Sequence, residues 1–302
     1  MEDVLKRLRR GDAIVGDGAL GTMLIQRGLK HGDPPEGFNL ARPEVLEEIA
    51  SLYLNAGSEI ITTNTFGASP LRLQPFSLDN DVDAINRSAV DAVRRAVGDR
   101  AYISGCMGPA GKMLKPLGKA DPGEVYSSYC RQLSALIAAG VDIVFIETMS
   151  DLNEAALAIK AARSVDSKIP IMATVTFGKT PKGYFTLMGA SVKDAAAALE
   201  EAGADIIGSN CGQGAAAMVE IAKEFRLHSR VPVAIQSNAG LPVAGEGGII
   251  YPETPEFLAA KASELLDLGV QIIGGCCGTE PDHIRAIRKI VDARISCKEV
   301  TL

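Results

Sequence analysis

Three of the six cysteines in this 302-residue chain stand where short apolar runs end. Cys276 and Cys277 are adjacent and follow Gln271-Ile272-Ile273-Gly274-Gly275, while Cys211 closes the run Asp205 to Asn210 and is followed by Gly212. Neighbouring residues on a regular strand point to opposite faces. Both thiols of the pair can therefore serve one site only if the backbone leaves the strand there, which Gly274, Gly275 and Gly278 permit. Cys211 supplies a third thiol from a second strand end. Three thiolates with a fourth position open describe a catalytic zinc site. The alternatives are core packing, since free cysteine is among the most buried residue types, and a strained vicinal disulfide that leaves Cys211 without a role.

Three thiolates give zinc excess negative charge, which makes it a poor activator of water and a good host for a soft fourth ligand such as a substrate thiol. Coordination lowers the pKa of a thiol that is about 8.5 when free, so a thiolate nucleophile is available at neutral pH. The reaction implied is alkyl transfer to sulfur. Glu147, with Asp17 nearby, is placed to hold an α-ammonium group through charge-assisted hydrogen bonds. The loop Gly16 to Met23 sets Asp17 among three glycines, where backbone N–H groups can approach a substrate carboxylate. Asn238 can orient substrate or occupy the open coordination position. The plainer alternatives are a capping Asp17 in a tight turn and a Glu147 that serves a helix N-terminus.

These residues need a scaffold that brings strand ends together. Eight apolar, β-branched runs alternate with helical patterns: Ala13–Gly16, Glu59–Phe66, Ala101–Gly105, Asp142–Thr148, Pro170–Phe177, Asp205–Cys211, Val231–Ser237 and Gln271–Cys276. Helices are expected to start at Pro43-Glu44, at capping boxes on Asp151 and Ser191, and at Pro255 and Pro281. Gly57, Gly140, Gly203 and Gly269 precede the next apolar runs and fit left-handed helix ends. Strict alternation of strand and helix predicts a parallel sheet, and eight units close into a (β/α)8 TIM barrel occupying residues 1–302, with its core at about 11–292. A doubly wound open sheet is the alternative. A barrel gathers its chemistry at the C-terminal ends of the strands. After successive strands come Asp17, Asn64, Gly108-Pro109, Glu147-Thr148, Thr176-Phe177, Cys211, Asn238 and Cys276-Cys277. The candidate substrate-binding set is thus Asp17, Gly18, Ala19, Asn64, Glu147, Thr148 and Asn238, with Asp17 and Glu147 as the catalytic candidates and Cys211, Cys276 and Cys277 as the metal ligands.

Gly28 to Phe38 has neither helical nor strand period and reads as a lid or surface loop, and Lys179 to Gly189 reads as a loop over the barrel mouth. His31, His228 and His283 show no ligand spacing and read as solvated or structural. With 31 basic against 37 acidic side chains, a net charge of −6 and no basic tract, nucleic acid is not the expected partner. The charged N-terminus lacks the apolar region of a signal peptide, and no run reaches the roughly 20 apolar residues of a membrane span. A cytoplasmic protein with reduced thiols is expected.

The ordered motifs Gly16-Asp17-Gly18-Ala19, Thr62-Thr63-Asn64-Thr65-Phe66, Gly108-Pro109, Glu147-Thr148, Asn210-Cys211, Asn238-Ala239-Gly240 and Gly274 to Thr279 run from about residue 11 to residue 292. They resemble the homocysteine S-methyltransferase family, and most of all the homocysteine-binding barrel of cobalamin-dependent methionine synthase. The resemblance implies a zinc-bearing barrel with Cys211, Cys276 and Cys277 as ligands and Asp17 and Glu147 on the amino acid. It implies homocysteine as acceptor and a corrinoid (methylcobalamin) as methyl donor, carried by a separate corrinoid protein because the chain ends at Leu302. The absence of tryptophan and the presence of Thr148 beside Glu147 disfavour betaine. S-methylmethionine or S-adenosylmethionine is the alternative donor, and another small thiol the alternative acceptor. A non-catalytic subunit that binds thiol or corrinoid is the reading outside catalysis.

Overall fold

A computed structural model describes residues 1–245 and 248–299 of the chain, so residues 246–247 and 300–302 of the expected domain lie outside the described residues. All eight expected strands form. They are β1 (Ile14–Val15), β2 (Ile60–Thr62), β3 (Tyr102–Met107), β4 (Ile143–Met149), β5 (Ile171–Val175), β6 (Ile206–Gly214), β7 (Val233–Asn238) and β8 (Ile272–Gly275). The major helices that follow them are α1 (Pro43–Ala56), α2 (Val82–Val97), α3 (Pro122–Ala138), α4 (Leu152–Val165), α5 (Val192–Ala202), α6 (Ala215–His228), α7 (Pro255–Asp267) and α8 (Pro281–Glu299). The strands pair in parallel in the order β1–β8–β7–β6–β5–β4–β3–β2. The end strands β1 and β2 are drawn together by the Glu59 N–H, which donates to Val15 O at 2.8 Å. This is the TIM barrel, not the open sheet.

The period of two along each strand assigns its two faces. Ile14, Ile60, Tyr102, Ile143, Met172, Ile206, Ala234 and Ile272 form one buried cluster, with a residue from every strand. It fills the barrel floor. The N-terminal helix Val4–Arg9 closes this end by adding Val4 and Leu8, each burial contributing roughly 1.5–3 kcal/mol. The residues between them, among them Val15, Ile61, Ile103, Val144, Ala173, Ile207, Ile235 and Ile273, pack outward against the helices. Further along the inward rows, apolar side chains give way to polar ones: Tyr102 leads to Ser104 and Cys106, Ile143 to Phe145 and only then Glu147, and Ala234 to Gln236. The barrel is therefore apolar at one end and polar at the other.

The helix signals are met with one exception. Ser191 and Asp194 close a full capping box on α5, and Gly57, Gly140, Gly203 and Gly269 all adopt positive φ. Asp151 caps α4 through the Asn153 N–H, but Glu154 does not complete a box. Its carboxylate is buried instead, accepting from Ala110 N–H at 2.8 Å and Tyr129 Oη at 2.7 Å. Lys179 to Gly189 also gains structure, since Gly178–Thr180 and Gly183–Phe185 pair as an antiparallel hairpin.

Candidate active site

At the carboxyl ends of the strands, the barrel opens into a cavity of about 460 Å³. Asp17, Gly18, Ala19, Asn64, Glu147, Thr148, Cys211, Cys276 and Cys277 all line it. Asn238 is buried but is not among the lining residues, and its Oδ1 has no partner among the described residues.

The three thiols meet because two strands end abruptly. β8 stops at Gly275, and Cys277-Gly278 forms a turn with Gly278 at φ +79°, so Cys276 and Cys277 turn toward one point. Thr279 fixes this turn, its Oγ1 donating to Cys276 O at 2.7 Å. A side chain at Gly275 would stand on Thr279 Oγ1, 2.1 Å away. On β6, Cys211 at φ 59° and Gly212 at φ 72° are both left-handed, and the pairing with β7 shifts register between Asn210 and Gly214. The Sγ atoms of Cys211, Cys276 and Cys277 lie within 4.8 Å of one another, with Cys211 and Cys277 at 3.8 Å. For Zn–S bonds of about 2.3 Å in tetrahedral geometry the sulfur separation is about 3.8 Å, so this donor set fits zinc. Among the three, the hydrogen bonds from Cys211 and then Cys276 hold Cys277 well below the usual thiol range, while the Cys211 contact pushes Cys276 up.

Asn210 is the hub of the site. Its Nδ2 donates to Glu147 Oε2 and Thr148 Oγ1, both at 2.8 Å, and lies 3.9 Å from Cys276 Sγ. Its Oδ1 accepts from Thr148 N–H at 2.8 Å and Thr174 Oγ1 at 2.7 Å. Thr148 is a β-branched residue at φ 60°, an uncommon conformation that the Asn210 bond stabilises. Glu147 is gripped on its other oxygen by Cys106 Sγ, which donates to Oε1 at 2.6 Å. Asp17 takes two bonds from Thr62, the N–H at 2.7 Å and Oγ1 at 3.0 Å. Burial pushes both carboxyls up, to about 7 in each case, with Asp17 adding to the rise at Glu147. Two carboxylates desolvated to this degree are suited to a cationic ligand.

The glycine loop is fixed by Thr279 and Tyr53. Ala19 N–H donates to Thr279 O and Oγ1, both at 3.1 Å, and Tyr53 Oη lies 2.8 Å from Ala19 O. The next N–H groups, of Leu20 and Gly21, open the helix Leu20–Gln26, where no earlier helical carbonyl reaches them. The segment Gly28 to Phe38 covers the cavity from one side, with a 3-10 turn at Pro35–Gly37 and lining residues from Gly32 to Glu36. Asn64 belongs to this attachment, since its Nδ2 donates to Pro35 O and to Asn39 Oδ1, both at 2.7 Å. Glu36, absent from the expected site, is buried against Gly67 N–H at 2.5 Å. Of the histidines, His31 and His228 are exposed, whereas His283 is buried between Glu280 N–H and Glu253 O.

Sequence reasoning missed Cys106 and Gln236, which also line the cavity. The signal was available, since Cys106 stands two residues beyond Ser104 on β3 and Gln236 two beyond Ala234 on β7, on the inward faces.

A parallel eight-stranded barrel that collects three thiols and two buried carboxylates at its strand ends defines a TIM-barrel protein with a candidate metal and small-molecule site. The profile of the family described as homocysteine S-methyltransferase matches residues 14–291, and the chain belongs to that family of methyltransferases. It is 34% identical over 308 residues to the methionine synthase of Mycobacterium leprae, covering 96% of this chain and 25% of that protein. The methionine synthase of Mycobacterium tuberculosis is 34% identical over 295 residues, with 92% of this chain and 24% of that protein covered. The chain thus spans about a quarter of the length of these relatives. Its fold is similar to the metallated form of the homocysteine methyltransferase MmuM from Escherichia coli, with a TM-score of 0.77 at 20% identity, covering 94% of this chain and 98% of that one. Among the described residues no helix is long and apolar enough to cross a membrane.

Proposed function

We propose that this chain is a zinc-dependent thiol S-methyltransferase whose acceptor is homocysteine and whose product is methionine. The observation that carries this reading is the placement of three sulfur atoms within 4.8 Å of one another, at the edge of a cavity that also holds Glu147 and Asp17. Cys211, Cys276 and Cys277 would hold the zinc, which when bound would keep a substrate sulfur as thiolate at neutral pH. Glu147 and Asp17 bind the α-ammonium, and Cys106, Asn210 and Thr62 keep their carboxylates oriented. The N–H groups of Leu20 and Gly21 face the α-carboxylate. The segment Gly32 to Glu36 limits the access of water. In the net reaction the thiol releases its proton, sulfur forms a bond to the methyl group, and the demethylated donor departs with the electron pair of the bond that is broken.

The kinship with methionine synthases supports a corrinoid as donor, taken up at the barrel mouth. The free thiols accord with a reducing, cytoplasmic setting. The test is product formation by purified zinc-loaded protein given homocysteine and one donor at a time: methylcobalamin, S-methylmethionine or S-adenosylmethionine. Methionine formed from methylcobalamin supports the proposal. Turnover with S-methylmethionine alone overturns the choice of donor, and homocysteine binding without product from any donor overturns catalysis in favour of a binding subunit.

A further inference from the structure

We propose that Arg72 binds the anionic group of the methyl donor, the phosphodiester of a corrinoid or the carboxylate of a sulfonium amino acid, across the barrel mouth from the thiols. This rests on the reading that a methyl donor meets a bound thiol in this cavity. Arg72 stands on the short helix Pro70–Leu73 that follows β2, and it lines the cavity. Around the closed ring of eight strands, β2 lies opposite β6, which carries Cys211. A donor with its methyl group beside the thiols and a body too long for that end of the cavity reaches the Arg72 wall.

Charge singles this residue out. Arg72 is the only Lys, Arg or His among the described residues that line the cavity, against the carboxyls of Asp17, Asp33, Glu36 and Glu147. Among the described residues no hydrogen bond or ion pair reaches its guanidinium. Glu36 senses the charge through space, but its carboxylate is held by the Gly67 N–H. The guanidinium lies over Gly111, where a Cβ would stand 2.7 Å from Nη1. Its five N–H donors form a planar fork that matches two oxygens of a carboxylate or a phosphodiester. Homocysteine in the proposed mode leaves that fork unused, since its ammonium goes to Asp17 and Glu147 and its carboxylate to the N–H groups of Leu20 and Gly21. Methylcobalamin, S-methylmethionine and S-adenosylmethionine each carry an anion that fits it.

Binding is measured by calorimetry on zinc-loaded wild type, Arg72→Gln and Arg72→Lys, with methionine saturating the acceptor position so that no transfer occurs. Two pairs of probes differ in the anion. Cyanocobalamin is set against cobinamide, which lacks the phosphate-bearing nucleotide, and S-methylmethionine against (3-aminopropyl)dimethylsulfonium, which lacks the carboxylate. The expected result is that Arg72→Gln binds the anion-bearing member of a pair about 5- to 10-fold more weakly, between the worth of an exposed ion pair and that of a hydrogen bond to a charged group. The anion-free member, and homocysteine in a separate titration, should be unchanged. Arg72→Lys, which keeps the charge, should recover most of the affinity. Equal weakening of both members, weakening of homocysteine, or no weakening at all overturns the role. A response confined to S-methylmethionine overturns the corrinoid donor and leaves the role of Arg72 in place, whereas a wild type that binds neither pair overturns the donor site and this role with it.

Discussion

Replacing Glu147 by glutamine should make the metal-free protein more stable while damaging its site, and the size of the gain follows from burial. The carboxyl is moved from 4.5 to about 7 in the folded state, chiefly by loss of water. In the unfolded chain it ionises near its ordinary value. Between those two pH values the folded protein holds a proton that the unfolded chain has released, so stability falls as pH rises through this window and is lowest above it. The shift from 4.5 to about 7 corresponds to about 3 kcal/mol of stability withheld at pH 8, at 1.36 kcal/mol per pH unit. The uncharged amide introduced by Glu147→Gln avoids that penalty. Its oxygen can accept the Asn210 bond, but its NH2 then faces Cys106 Sγ, a weak acceptor, which returns about 1 kcal/mol. The expected net gain is about 2 kcal/mol at pH 8, and it should vanish or reverse at pH 4.5. Urea denaturation of both proteins with chelator and reductant at the two pH values measures it. A variant no more stable than wild type at pH 8, or a difference that does not change with pH, would refute burial as the cause of the raised carboxyl.

Three further outcomes are expected. Asn210→Ala removes four hydrogen bonds around Glu147, Thr148 and Thr174 and should cost about 3 kcal/mol or more, seen as a lower urea midpoint. Tyr53→Phe removes the hydroxyl that donates to Ala19 O and Thr279 O, the latter still accepting from Ala19 N–H, so a loss of about 1–2 kcal/mol in thermal unfolding should accompany a raised KM for the amino-acid thiol. Homocysteine affinity should fall as pH drops below about 7, because Asp17 and Glu147 then carry protons and no longer pair with an ammonium. Calorimetry should find this limb reduced in Glu147→Gln.

The scaffold was legible because its signals are local. Eight β-branched runs, prolines at helix starts and glycines at helix ends each act within a few residues, and their strict alternation leaves few topologies. The thiol site was legible because Cys276-Cys277 among glycines has few uses inside a regular strand. Less visible was whatever depends on distance through space. Asn210 stands beside Cys211 in the chain, but its bond to Glu147 spans 63 residues and reaches across β5 from the end of β6 to the end of β4. Cys106 looks like one more apolar residue of β3 until the barrel closes and brings it 2.6 Å from a carboxylate. Asn64 lines the cavity, as its position at a strand end suggests, but the hydrogen bonds by which its amide also holds Pro35 and Asn39 were not visible in the sequence. Glu154 illustrates competition, since its spacing from Asp151 suits a capping box while Tyr129 and Ala110 offer it buried partners.

The most direct test of the central claim is zinc content, determined on anaerobically purified wild type and Cys276→Ala, with homocysteine then added in weak buffer to follow proton release. The wild type should hold one zinc per chain and release a proton on binding homocysteine, and the variant should lose both properties. A wild type that takes up no zinc under reducing conditions, or a variant that keeps it in full, would contradict a metal centre built on Cys211, Cys276 and Cys277.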